Sequence, residues 1–129
     1  MIHKVYIIDD DLVSQFATLY AVKKNSVSFE VVTFDNATEA LDVIKNDIRS
    51  KKYKLTIVLD LVMPIVDGWG FLDELKAYLL PKVFVKIFIL SSFRNSSDRE
   101  KAKKHPLIHG FFDKPLSQLN AQKILTDAP

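Results

Sequence analysis

Apolar residues gather into five short runs, at positions 5–8, 29–34, 55–59, 83–90 and 110–112. The first four are rich in Val, Ile, Leu and Phe and lack strict polar alternation, the pattern of strands buried on both faces of a parallel sheet. Helical spacing of apolar residues appears between the runs. Over 12–24 it places Leu12, Phe16, Leu19 and Tyr20 near one face, a stripe of the kind that packs on a sheet. Over 37–49 it aligns Ala37, Ala40, Leu41 and Ile44, and over 71–80 Phe71, Leu72, Leu75 and Leu79, with Pro81 preventing continuation. The stretch 96–105 is mostly polar and predicts the most exposed helix, stopped by Pro106. A last helix over 116–125 opens with Pro115 near its first turn, where a missing N–H costs little.

The order is β-α five times over, with strand starts spaced about as ~30-residue βαβ units require. This predicts one α/β domain spanning 1–129, a doubly wound five-stranded parallel sheet with helices on both faces. The length of 129 residues suits a single domain. Without cysteine, a disulfide framework, a thiolate metal site and a cysteine nucleophile are excluded. No run approaches the ~20 apolar residues of a membrane span, so a soluble, cytoplasmic protein is the expectation. The net charge of +2 argues against a dedicated polyanion partner, DNA and RNA included. Lys51, Lys52 and Lys54, and Lys101, Lys103 and Lys104, read as solvated helix ends and loops, because no aromatic-rich recognition motif accompanies them. His3, His105 and His109 show no metal-ligand spacing.

Ligands of such sheets sit outside the carboxyl ends of the strands. The first strand ends in Asp9-Asp10-Asp11, the third in Asp60, the fourth in Ser91-Ser92 and the fifth in Asp113-Lys114-Pro115. Several carboxylates at one point raise one another's pKa unless a cation neutralises them. A hard ion such as Mg²⁺ fits, being held by one or two carboxylates while keeping places for phosphate oxygens. An aspartate can attack phosphorus, and metal and lysine would then offset the charge on the phosphoryl oxygens. Each residue also has a plainer reading: Asp11 as a helix cap, Asp67-Gly68 as a turn, Ser91 as a loop hydroxyl, Lys114 as a surface lysine. Asp60 resists that treatment, since an unpaired carboxylate ending an apolar central strand is costly to bury.

The segment Asp60-Leu61-Val62-Met63-Pro64-Ile65-Val66-Asp67-Gly68 resembles the phosphoacceptor signature of response-regulator receivers. Ile7-Ile8-Asp9-Asp10-Asp11 resembles their acidic pair. Ile87-Phe88-Ile89-Leu90-Ser91-Ser92 and Gly110-Phe111-Phe112-Asp113-Lys114-Pro115 resemble their fourth and fifth strand ends. The match is collinear over nearly the whole chain. It implies a flavodoxin-like, CheY-like (βα)5 fold and a single-domain regulator without an output domain, a monomer or weak dimer. Such a protein is not an enzyme towards other molecules, although it assists its own phosphorylation and dephosphorylation. By the resemblance, Asp60 accepts a phosphoryl group from a histidine kinase or histidine phosphotransfer protein, with Mg²⁺ (or Mn²⁺) as cofactor. Asp10 would be the principal acidic ligand, Asp9 would act through water or orientation, and Asp60 and the Val62 backbone carbonyl would complete the protein's ligand set. Lys114 would pair with Asp60 and then with phosphate, Ser91 would turn towards the phosphoryl group, and Phe111 would be the switch aromatic. Output would run through a downstream protein target. Val62 and Phe93, two past Asp60 and Ser91, are apolar where such receivers influence access of the attacking water, which implies a long-lived phosphoryl group. Asp113 should point to the opposite side from Lys114 by strand alternation.

Three other readings compete. Asp9-Asp10-Asp11-Leu12-Val13 fits the Asp-x-Asp-x-Thr/Val motif of haloacid-dehalogenase phosphatases, but no acidic pair follows Lys114 and Asp60 would go unused. A receiver-shaped module that is never phosphorylated would not need the full set of site residues. A flavin-binding module lacks its phosphate loop after the first strand.

Overall fold

The computed structural model describes residues 2–24, 29–63, 67–79, 84–92 and 96–126. Its elements run β1(Ile2–Ile8), α1(Leu12–Lys23), β2(Glu30–Phe34), α2(Ala37–Ser50), β3(Tyr53–Leu59), α3(Gly68–Lys76), β4(Val85–Ser91), α4(Ser96–Lys104), β5(Gly110–Asp113) and α5(Gln118–Thr126). All strand pairs are parallel and the sheet order is β2-β1-β3-β4-β5. The fold is thus the (βα)5 doubly wound, CheY-like arrangement expected from the sequence.

Strand alternation divides the core. Tyr6 and Ile8 of β1, Leu55, Ile57 and Leu59 of β3, and Ile87 and Ile89 of β4 face α2 and α3. They pack there on Ala40, Leu41, Ile44, Phe71, Leu72 and Leu75. Val5, Ile7, Val58, Phe88 and Leu90 face the other way, onto Val22 of α1 and Ala121, Ile124 and Leu125 of α5. Both faces of the central strands are dry, which is why these runs lack polar alternation.

Boundaries depart from the sequence reading where partners come from elsewhere in the chain. β1 starts at Ile2 rather than residue 5, because β3 supplies a pairing partner for each added residue (Ile2 with Tyr53, His3 with Lys54, Lys4 with Leu55). The polar side chains are also met: His3 Nε2 lies 2.8 Å from Thr56 Oγ1, and Lys4 Nζ donates to Asp47 at 2.9 Å. α3 starts at Gly68, earlier than residue 71, since Asp67 caps it by accepting from the Gly70 N–H. It ends at Lys76, and Leu80, Pro81 and Val83 lie outside the described residues. α5 starts at Gln118, so Pro115 is not in its first turn. The Lys114–Pro115 peptide is cis, and the Ser117 hydroxyl accepts from the Asn120 N–H at the helix start. α4 is the exposed helix expected, with Ala102 its one buried side chain among the described residues.

The stripe on α1 is the main correction. Leu12, Phe16 and Tyr20 are 57%, 68% and 63% exposed; Thr18, Ala21 and Val22 are buried in their place, and Leu19 is half-buried. Small residues on that face let α1 approach the sheet and α5 closely, and the larger ones are left facing water.

Gly68 closes the route from β3 to α3. Its N–H donates to the Leu61 carbonyl at 3.0 Å, and a Cβ there would sit 2.7 Å from Leu61 Cα and 2.8 Å from the Asp60 carbonyl oxygen. These are backbone atoms and cannot step aside as a side-chain tip can. Gly68→Ala should therefore destabilise the protein by about 1–3 kcal/mol, the usual penalty for overpacking. Urea unfolding checks it, and a loss under about 0.5 kcal/mol would contradict the reading.

Candidate functional site

Parallel strands bring all five carboxyl ends to one edge, and the order β2-β1-β3 makes the junction of β1 and β3 the point where the chain reverses its direction of winding. Asp9 and Asp10 follow β1, and Asp60 follows β3. The Asp60 N–H continues the ladder by donating to the Ile8 carbonyl at 3.0 Å, which fixes the two acidic segments side by side. One carboxylate oxygen from each of Asp9, Asp10 and Asp60 lies within 4.8 Å of the others. Asp9 and Asp60 are buried and Asp10 is exposed.

Lys114 reaches this cluster from the end of β5. Its Nζ donates to Asp9 Oδ2 at 2.9 Å and to Asp60 Oδ2 at 3.0 Å. Its backbone N–H donates to the Ser91 carbonyl, which anchors the lysine to the end of β4. The second oxygen of Asp60 accepts from the Val62 N–H at 3.1 Å, and that of Asp9 accepts from the Asp11 N–H at 3.0 Å. Burial raises the pKa of Asp60 above the usual aspartate value, and the hydrogen bonds from Lys114 and Val62 offset this only in part. Burial would lower that of Lys114, but its bonds to Asp9 and Asp60 outweigh burial and hold the ammonium above its ordinary range.

Three clustered carboxylates, two of them paired with one ammonium, leave uncompensated negative charge and an all-oxygen donor set. That chemistry suits a hard divalent cation such as Mg²⁺. Asp9, Asp10 and Asp60 would hold it, and Val62 is folded beside the cluster through its N–H.

The other sequence candidates separate. Ser91 ends β4 and is buried, pairing in register with Asp113. Asp11 stands outside the cluster: its Oδ1 caps α1 by accepting from the Val13 and Ser14 N–H groups. The plainer reading of Asp11 holds, and a cluster built on Asp60 gives no support to a phosphatase centred on Asp9 and Asp11. Asp113 points away from Lys114, as alternation requires, and pairs with Arg99 of α4. The Arg99 guanidinium lies 5.9 Å from the half-buried ring of Phe111. The Val62 side chain is exposed and carries no group that could orient a water. Phe93 and the central Pro64, Ile65 and Val66 of the Asp60 segment lie outside the described residues. His105 and His109 are engaged elsewhere, accepting through Nδ1 the backbone N–H of Leu107 and of Ile87, respectively. Sequence reasoning passed over Gln15, whose side chain meets the backbone at the ends of β1 and β2. No local signal marks it, because one of its partners is 19 residues away.

The family model for the response regulator receiver domain matches residues 5–126. The chain belongs to that family. A receiver protein from Dyadobacter fermentans has the same fold, with a TM-score of 0.77 and 26% identity over 97% of this chain and 96% of its own. A two-component response regulator from Cytophaga hutchinsonii superposes with a TM-score of 0.84 at 23% identity, over 98% and 96% of the two chains. Among curated proteins, the probable transcriptional regulator ycf27 of Porphyra purpurea is 30% identical over 73 residues, or 57% of this chain and 27% of that protein. The chain therefore matches about a quarter of that relative's length. None of the helices among the described residues is long and apolar enough to cross a membrane.

The raised pKa of Asp60 has a consequence for this receiver's stability. A carboxyl that holds its proton more tightly folded than unfolded loses stability as pH rises through that interval. Asp60→Asn should therefore raise the thermal midpoint at pH 7, with the gain fading as pH falls through the raised folded pKa and gone below the unfolded aspartate value of about 3.9. A variant less stable than wild type at pH 7 would show that the Lys114 pairing outweighs the burial of Asp60.

Proposed function

We propose that this receiver accepts a phosphoryl group on Asp60 from a phosphohistidine of a histidine kinase or phosphotransfer protein and signals by altered binding to a downstream protein. The observation that carries the reading is the clustering of Asp9, Asp10 and Asp60, two of which, Asp9 and Asp60, are bonded to the Lys114 ammonium. A carboxylate oxygen of Asp60 attacks phosphorus, the P–N bond to the donor imidazole breaks, and a P–O bond forms. Lys114 holds a positive charge where phosphoryl oxygens arrive, so charge developing there meets a donor already in place. The Val62 N–H keeps the Asp60 carboxylate oriented, and the Ser91 hydroxyl is the group that senses the product. Bound Mg²⁺ supplies neutralisation of the acidic cluster and of the transferred group. The domain is an acceptor that assists its own modification, not an enzyme acting on other substrates. Its response is a population shift, because the modified aspartate favours the arrangement around Ser91 and Phe111 that gives it extra contacts.

The donor's docking surface is the exposed apolar face of α1. Leu12, Val13, Phe16 and Tyr20 stand in water beside the acidic edge, and Leu119 of α5, the helix α1 packs on, is exposed as well. An apolar group of this kind marks an interaction surface, and a helical partner can lay its own apolar face there.

Incubation with acetyl phosphate and Mg²⁺ tests the chemistry. Wild type should gain one phosphoryl group that is labile to alkali and hydroxylamine, a gain prevented by prior chelation of Mg²⁺ and absent from Asp60→Asn. Modification of Asp9 in that variant would instead revive the phosphatase alternative. Phe16→Glu separates docking from chemistry. It should slow transfer from the cognate phosphohistidine protein at least about tenfold, a loss of ~1.4 kcal/mol, and leave acetyl phosphate labelling unchanged. Equal slowing with both donors would show that α1 serves the site and not the partner.

A further inference from the structure

Gln15 lies in the first turns of α1, and its side-chain amide reaches two strand ends at once. Nε2 donates to the backbone carbonyl of Asp9 and to that of Phe34, each at 3.1 Å. The Phe34 carbonyl also accepts the Asp9 N–H at 3.0 Å. These carbonyls lie at the carboxyl ends of β1 and β2, where the ladder between the two strands runs out. Two carbonyls facing one point accept only a donor. The amide nitrogen satisfies both with its two hydrogens, and an oxygen in its place would be repelled.

Asp9 is consequently held at four atoms. Its N–H is bound by Phe34, its carbonyl by Gln15, Oδ1 by the Asp11 N–H and Oδ2 by Lys114. Of these, the Gln15 contact alone comes from a side chain outside the acidic cluster and its lysine. It does not touch the cluster oxygens; it fixes the peptide that leads from Asp9 to Asp10.

We propose that Gln15 is a positioning residue for the divalent-cation site, holding the Asp9–Asp10 peptide so that both carboxylates face Asp60. This rests on the receiver reading of the cluster. Groups that orient metal ligands from behind commonly change affinity about 10–100-fold when removed. Gln15 acts on the backbone of the ligands, so the lower end applies.

Mn²⁺ binding to the whole chain, followed by the electron paramagnetic resonance signal of the free ion, tests the role with Q15M and Q15E. Met keeps the length of the side chain without the donor. Glu removes the donor and adds a negative charge, which by charge alone would tighten binding. Both variants should bind Mn²⁺ about tenfold more weakly than wild type, with thermal midpoints lowered by no more than about 10 °C, as two lost hydrogen bonds predict. Q15M within twofold of wild type, or Q15E binding more tightly than wild type, would overturn the proposal. So would loss of the folded near-ultraviolet spectrum in both variants, because the role would then be structural. Wild type that fails to bind Mn²⁺ would sink the cation-site reading itself, and this one with it. Unchanged variants beside a binding wild type would sink only the role of Gln15.

Discussion

The carboxyl edge of this protein is organised around a charge imbalance. Asp9, Asp10 and Asp60 bring oxygens within 4.8 Å of one another, and Lys114 answers them with a single ammonium. Like charges at that separation interact by several kcal/mol at an effective dielectric of about 20, so one cation cannot relieve all the contacts. The negative balance left over, on an all-oxygen donor set, suits a hard divalent cation. Stability is given up for this: Asp60 is buried, and burial outweighs the relief its hydrogen bonds provide. An apolar residue at that position would fold with less opposition and could do none of the chemistry, the familiar conflict between a stable site and a working one.

The rest of the fold serves to hold this imbalance in place. A parallel sheet with two dry faces locks the strands in register, and register decides which side chains share the edge. Because Ile8 pairs with Leu59, Asp9 and Asp60 leave the sheet at the same level. Because Ser91 pairs with Asp113, Lys114 emerges one residue beyond the end of β4 and is tied there through the Ser91 carbonyl. The abundance of aspartate along this edge has two separate origins. Asp11 and Asp67 cap the helices that start there, whereas Asp9, Asp10 and Asp60 form the cluster. Both follow from one geometry, since helix N-termini and strand carboxyl ends lie at the same end of a βα unit.

That shared geometry explains what could be read from the sequence. The strands were legible because β1, β3 and β4 are apolar on both faces, and the cluster because each member directly follows such a run. Asp11 beside Asp9 and Asp10 was not separable from a ligand by sequence, since a cap and a ligand ask for the same side chain at nearly the same place. The face of α1 was misread for a different reason. Periodicity identifies a helix face but does not say whether the core or a partner covers it, and here the smaller Thr18, Ala21 and Val22 face the core while Leu12, Phe16 and Tyr20 do not. The start of β1 was missed because His3 and Lys4 are polar, and their partners Thr56 and Asp47 are 53 and 43 residues away. Gln15 was invisible for the same reason.

The end of β5 shows how little structure separates the site from the neighbouring surface of α4. Alternation sends Lys114 to the carboxylates and Asp113 to Arg99, so adjacent residues face the chemistry and α4 respectively. Arg99 also lies over the ring of Phe111, two residues back on the side that Asp113 shares. The Arg99–Asp113 pair is short at 2.6 Å but exposed, and exposed pairs contribute only about 0.2–1 kcal/mol. The cation over the aromatic ring adds about 0.5–1 kcal/mol at such a site. These two contacts are weak and act beside the burial of Ala102, the one core side chain of α4 among the described residues. An equilibrium shifts only by a difference in affinity between two states, and for a contact this weak a small difference is enough. The same alternation makes Lys114 and Asp113 the point where the two sides meet: Lys114 is bonded to the carboxylates of the cluster, and its peptide neighbour is paired with α4.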